Sequence, residues 1–166
     1  KIIEKILKTA RLNVKTVGNI GSPILFLNKS KKKNIFILEI SSYQLEYSKL
    51  IRSKHAVILN ISPDHLDRHK NIKNYIKIKS RIFLGQHNSD YSYINSANKY
   101  SKSIKEIFKA QKIKSKLISV NKSSSNYLLK KNNNRYFRSK GNIEDLFFAY
   151  KKAKNLKINE KIIIKA

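Results

Sequence analysis

The sequence predicts an α/β fold: a mainly parallel sheet flanked by helices, with a small antiparallel β-hairpin in the C-terminal part. Three observations predict it. Apolar runs rich in strand-forming residues, Ile35–Leu38 and the segment His55–Ile61, read as strands buried on both faces. They alternate with stretches whose apolar residues recur every three or four positions, which is the pattern of crossover helices between parallel strands. The chain has 166 residues and no tandem repeat, which suits one domain, or most of one, with a real core.

Taken in order, the segment Lys1–Leu12 sets Ile2, Ile3, Ile6, Leu7 and Ala10 on one helical stripe with Lys and Glu opposite. Residues 13–17 read as a short strand running into Gly18-Asn19-Ile20-Gly21-Ser22-Pro23, where glycines let the backbone turn tightly. Ser22 and Pro23 suit the Ncap and N1 positions of a further helix through about Asn28. After a Lys-rich turn comes the strand Ile35–Leu38, ending on Glu39, then Ser41–Ser42 and a helical pattern from Tyr43 to Ile51. A strand that delivers a carboxylate and hydroxyls into a turn before a helix is where open α/β sheets build ligand sites. The same residues equally describe a strand-ending Glu and a Ser N-cap.

The next strand, His55–Ile61, ends in Ser62-Pro63-Asp64-His65-Leu66-Asp67-Arg68-His69, which packs carboxylates, imidazoles and a guanidinium into eight residues. Such a cluster also suits a helix N-cap with a solvated His. Asn71–Gln86 has helical periodicity and puts Lys79 on an apolar-leaning stripe, where a snorkelling stem is the ordinary explanation. Strands follow at Tyr91–Asn95 and Lys116–Val120, with an amphipathic helix over 99–111 between them. Tyr127–Leu129 and Arg135–Phe137 are the arms of the expected hairpin. Helices close the sequence over 142–156 and from Ile158 onward.

Composition narrows the functional classes. No run approaches the roughly 18–20 apolar residues of a membrane span, no signal-peptide pattern opens the sequence, and no membrane partner is expected. Cysteine is absent, so there is no disulfide framework. The net charge of +27 raises a nucleic-acid reading. The excess is nearly all Lys, spread through every segment alongside Ile, Asn, Tyr and Ser, and so reads as compositional drift. Non-specific attraction to polyanions at low salt follows, but no specific nucleic-acid partner. The sequence begins on Lys1 and contains no Met, so it is expected to be a piece of a longer product.

Asn19, Glu39 and His65 all fall just beyond strand carboxyl ends, so three loops can converge at one sheet edge. A carboxylate from Glu39 and an imidazole from His65 converging there are donors that a metal ion could use.

Motifs carry the reading further. Leu38-Glu39-Ile40-Ser41-Ser42-Tyr43-Gln44-Leu45-Glu46 resembles the LE(L/I)SS(F/Y)QLE stretch of the D-glutamate-adding members of the Mur ligase family. The turn at Gly18–Pro23 is similar to that family's GNIG-x-P. Asn60–His69 is similar to its N-(I/V)-x-x-DH-(L/M)-DRH, and Tyr75-x-x-x-Lys79-x-Arg81-Ile82 to its Y-x-x-x-K-x-R-I.

The resemblance implies a P-loop NTPase-like central domain over residues 1–166, truncated after the phosphate-binding loop. The flanking nucleotide-substrate and C-terminal domains would be absent. It implies a reaction in which ATP phosphorylates the carboxyl group of UDP-N-acetylmuramoyl-L-alanine and the amine of D-glutamate attacks the acyl phosphate, in peptidoglycan synthesis. By the same likeness Glu39, His65 and a carbamylated Lys79 are metal ligands for Mg²⁺, with Lys79, His65 and Asn19 catalytic. Asn19, Ser41 and Gln44 would contact the acceptor, and Asn142 and Asp145 the nucleotide. A cytoplasmic monomer is expected.

Two departures stand against the pattern. The family's HN-x-x-N turn reads Gly141-Asn142-Ile143-Glu144-Asp145, and no G-x-x-x-x-G-K-(S/T) loop occurs, so the chain alone is expected to turn over no ATP. The alternatives are another amide ligase of the superfamily, such as a folylpolyglutamate synthetase, and a basic α/β nucleic-acid-binding module.

Overall fold

A computed structural model of the chain describes residues 1–20, 34–48, 51–121, 128–129 and 134–166. The chain forms two compact units, one from residues 1–41 and 122–166, the other from the continuous segment 42–121.

The first unit contains helix α1 (Ile2–Thr9) and the parallel strands β1 (Val14–Gly18) and β2 (Ile35–Glu39), paired from Val14↔Ile35 to Gly18↔Glu39. Two further helices belong to it, α6 (Lys140–Asn155) and α7 (Glu160–Lys165). The apolar stripe of α1 is where the sequence puts it: Ile6 and Leu7 are buried, and Ile6 joins Leu146, Ala149, Tyr150, Ala153, Ile163 and Leu128 in one cluster. Burying side chains of this size is worth roughly 1.5–3 kcal/mol each, which outweighs the modest propensity of so short a helix. Ser139 caps α6 by accepting the Asn142 N–H at 3.2 Å, and Asn159 caps α7 by accepting the Lys161 N–H at 2.9 Å.

The second unit is built on the parallel strands β3 (His55–Ile58), β4 (Tyr91–Asn95) and β5 (Lys116–Val120), with β4 in the middle. Around them lie α2 (Ser42–Tyr47), the single turn α3 (Leu66–His69), α4 (Ile72–Ser80) and α5 (Ser101–Ala110). Its core joins Ala56, Ile58 and Ile94 of the sheet to Tyr75 and Ile76 of α4, Ile104 of α5 and Phe83. A buried amide fixes the amino ends of the three strands. Gln86 Nε2 donates to the carbonyls of Ser53 (2.9 Å) and Tyr91 (3.0 Å), while its Oε1 accepts from the hydroxyls of Ser92 and Ser115. Every hydrogen-bonding site of that amide is filled, which is what burial demands.

Three helices end alike. After α1, α5 and α6 a basic residue, Arg11, Lys112 or Lys157, takes a left-handed conformation with φ of 58°, 50° and 58°. The next N–H then bonds back five residues: Leu12 to Leu7, Ile113 to Phe108 and Ile158 to Ala153. This is the Schellman closure, normally reserved for Gly.

The described residues depart from the sequence reading in several places. The parallel pairing holds, but it runs in two sheets, β1-β2 and β3-β4-β5. The expected hairpin is not formed: Leu128 and Leu129 are helical, and Arg135–Arg138 is a 3-10 turn. Its causes are local. Asn134 accepts the Tyr136 N–H at 3.0 Å and starts the turn, while Leu128 buries among the helices of the first unit. Tyr127 lies outside the described residues, as do Gly21, Ser22 and Pro23 and the helix expected after them. The long helix expected over 71–86 stops at Ser80 and tightens into a 3-10 turn at Arg81–Phe83.

Candidate active site

In the first unit the sequence-predicted pair Asn19 and Glu39 sits at the carboxyl ends of β1 and β2. Gly18, opposite Glu39 in the ladder, adopts φ of 107°, a conformation that only Gly takes without strain. That lets the Asn19 N–H donate to the Glu39 carbonyl at 2.9 Å. Both side chains are exposed. Ser41 follows two residues after Glu39 and is half-buried.

The second unit holds His65 and Lys79. His65 has φ of 52° and stands at the head of α3. Asp64 fixes it from both sides: its Oδ1 accepts the His65 N–H at 3.0 Å and its Oδ2 lies 3.3 Å from Nε2. The imidazole is 45% exposed and so open to a ligand from water. Its ring meets the edge of Tyr43, 5.0 Å away between centroids.

From there a line of rings leads to Lys79. Tyr43 lies 5.6 Å from His69, His69 lies 5.4 Å from Tyr75, and the Lys79 Nζ sits 5.6 Å from the centre of the Tyr75 ring. Tyr75 and Lys79 are one turn apart on α4, so the half-buried amine rests against an aromatic face. Burial, and then the negative charge of Asp64, push the Tyr75 hydroxyl above its ordinary pKa. Gln44 is exposed on α2, the helix that carries Tyr43.

Asn142 and Asp145 lie on α6. The Asn142 side chain donates to the Tyr136 carbonyl at 2.7 Å, tying the helix start to the 3-10 turn before it. Burial raises the Asp145 carboxyl above its ordinary value.

Three residues that the sequence does not single out prove central to the second unit. Ser42 and His69 are buried and bonded to each other, with Nε2 3.0 Å from Oγ. Arg81 donates to two carbonyls of the α2 segment. The signal for His69 is its spacing: four residues after an exposed His65, on a turn with no other buried residue.

Among the described residues no three His, Cys, Asp or Glu side chains form a metal-binding group. The donor chemistry fits Mg²⁺ on a condition. Glu39 offers an exposed carboxylate and His65 an exposed imidazole, but Lys79 becomes an oxygen donor only as a carbamate. No helix among the described residues is long and apolar enough to cross a membrane.

Residues 1–163 match the Mur ligase middle domain. The chain belongs to the Mur ligase family. Among curated relatives, the UDP-N-acetylmuramoylalanine--D-glutamate ligase of Elusimicrobium minutum is 41% identical over 120 residues, 70% of this chain and 25% of that protein. The enzyme of the same name from Rickettsia bellii is 44% identical over 99 residues, 60% of this chain and 22% of that protein. That of Acidobacterium capsulatum is 46% identical over 92 residues, 55% and 20% respectively. The chain thus spans about a quarter or less of the length of these relatives. As a Mur ligase middle domain it carries the family's α/β fold, with parallel sheets flanked by helices.

Proposed function

We propose that this chain is the ATP-using middle portion of a ligase that joins D-glutamate to UDP-N-acetylmuramoyl-L-alanine in peptidoglycan synthesis. The observation that carries the reading is the stretch Leu38–Glu46, LEISSYQLE, whose resemblance is to the D-glutamate-adding members of the family. The names of the relatives agree with it. ATP transfers its terminal phosphoryl group to the acceptor carboxylate. The amine of D-glutamate then attacks the acyl phosphate, forming the amide and releasing phosphate.

Within that reaction the chain's own residues bind and orient. Glu39 would hold a Mg²⁺ ion by its carboxylate, and His65 with a carbamylated Lys79 a second. These ions neutralise phosphate charge when bound. Carbamylation needs Lys79 as the neutral amine, and it replaces an awkward half-buried cation by a carboxylate-like ligand. Asn19, Ser41 and Gln44 would contact the acceptor, and Asn142 and Asp145 the nucleotide. The reading places the protein in the cytoplasm, where its nucleotide substrates are, as a monomer.

A chimera tests this. The 120-residue segment of the Elusimicrobium minutum relative that matches this chain is replaced by the matching residues of this chain, and phosphate release is followed with each substrate omitted in turn. Release that requires both UDP-N-acetylmuramoyl-L-alanine and D-glutamate supports the proposal. A folded chimera that works only with a folate and L-glutamate would transfer the reading to folylpolyglutamate synthesis.

A further inference from the structure

We propose that His69 is a positioning residue that holds the His65 turn in place by bridging three helices, through a bond to Ser42 and tilted ring contacts with Tyr43 and Tyr75. Helix α3 is a single turn, Leu66–His69, and a turn that short has no stability of its own. It is also bounded by two non-glycine residues at positive φ, His65 in the left-handed helical region at 52° and Lys70 in a tight turn at 66° with ψ of −45°. Conformations so sparsely populated cost roughly 1–3 kcal/mol each. Something outside the turn must therefore hold it.

His69 is that anchor, because it is the buried residue of α3, fully enclosed, while Asp67 and Arg68 are exposed. Its Nε2 lies 3.0 Å from the Ser42 hydroxyl at the start of α2. Its ring packs against Tyr43 of α2 and Tyr75 of α4. Its main chain reaches both ways. The N–H donates to the His65 carbonyl at 2.9 Å, and the carbonyl accepts from the Asn71 N–H at 2.8 Å and the Asn74 side chain at 3.1 Å.

One side chain thus joins α2, α3 and α4, and the Tyr43 ring that it packs against is the ring that His65 meets edge-on. Being fully buried, His69 touches no substrate and is not a catalytic residue. Its Nδ1 has no hydrogen-bond partner and lies 3.9 Å from Glu46 Oε2, a carboxylate already bonded to Arg68 at 3.2 Å. The identifiable polar bond of the imidazole is therefore the one to Ser42. Phe would keep a ring between Tyr43 and Tyr75 and lose that bond, whereas Gln would lose the ring and keep a polar group near the hydroxyl.

The consequence for metal binding rests on reading His65 as a ligand, so the test has two readouts. In the chain labelled at histidine and isoleucine, NMR follows the His65 backbone shifts, which report the left-handed conformation, and the broadening of its ring signal by Mn²⁺. In His69→Phe the His65 shifts are expected to move toward loop averages, with Ile58 and Ile94 of the sheet unmoved. Mn²⁺ should be needed at about tenfold higher concentration, the usual cost of losing an outer partner of a ligand. His69→Gln is expected to recover most of the native His65 shifts. Absence of Mn²⁺ broadening in the parent chain would remove the ligand reading of His65 and leave the backbone readout to decide the positioning. Unchanged His65 shifts in His69→Phe overturn the proposal. So do shifts at Ile58 and Ile94 that change in step with His65 in both variants.

Discussion

Arg81 Nε donates to the carbonyl of Leu45 at 2.9 Å, across 36 residues of chain, and its Nη2 reaches the Ser48 carbonyl at 2.6 Å. These oxygens lie at the end of α2, where the last carbonyls of a helix have no partner within it and the helix dipole favours a cation. The guanidinium therefore closes a helix only six residues long. Arg81→Ala is expected to cost about 2–3 kcal/mol, the worth of charge-assisted bonds to half-buried acceptors. Arg81→Lys should recover only part, because an ammonium lacks the forked geometry. Urea unfolding followed by tyrosine fluorescence measures both, and an Ala variant within about 0.5 kcal/mol of the parent would dismiss the cap.

Gly18 leaves no room for a side chain. A Cβ there would press into the Glu39 carbonyl and lie 2.7 Å from Leu38 Cδ1, at a φ that L-residues rarely adopt. Gly18→Ala should destabilise the first unit by about 3 kcal/mol or more. It should also break the Asn19–Glu39 main-chain bond, visible as faster hydrogen exchange at the Asn19 amide. Protection of that amide equal to the parent's is the contrary result.

The three basic residues in left-handed helix ends make the opposite case. Lys112→Gly and Lys157→Gly relieve a conformation disfavoured by roughly 1–2 kcal/mol, less the extra entropy Gly gives the unfolded chain. Each is expected to stabilise by about 0.5–1 kcal/mol. The two changes should add, because they end different helices in different units. Denaturation midpoints of the single and double variants check this, and any loss of stability in both singles refutes it.

Asp145 has its carboxyl raised above the ordinary value of 3.8, first by burial and further by Glu144. A carboxyl raised in the folded state favours folding most below its unfolded value and loses that contribution as pH rises through the folded value. Asp145→Asn, which installs the residue of the family's HN-x-x-N turn, is therefore expected to raise the thermal midpoint at pH 7. The gain should vanish below about pH 3.8. A gain that is the same at pH 3.5 and pH 7 would mean that charge is not the cause.

What the sequence reveals and conceals follows from the range of each signal. Strands such as Ile35–Glu39 and Tyr91–Asn95 are legible because their apolar runs are local, and Asn71 announces α4 by an ordinary cap. Leu128–Leu129 misleads because a short apolar run serves strand and helix equally. The helix ends at Arg11, Lys112 and Lys157 are hidden because the expected punctuation is Gly. In the candidate site, Asp64, His65 and Lys79 stand out by motif and by periodicity. The Ser42–His69 bond spans 27 residues and involves two ordinary polar side chains, so only their shared burial reveals it.

The uninterrupted run of the 42–121 unit has a bearing on biosynthesis. All of its strands and helices leave the ribosome before residue 122 does. At about 5–20 residues per second, residues 122–166 take several seconds more, whereas mixed α/β domains of this size commonly fold within milliseconds to seconds. Vectorial synthesis thus lets the segment bearing His65 and Lys79 reach its native form while β1 and β2 still await α6 and α7. A stalled nascent chain in which residues 1–121 are followed by a spacer long enough to fill the exit tunnel should already resist protease across 55–120, while residues 1–20 remain open to cleavage.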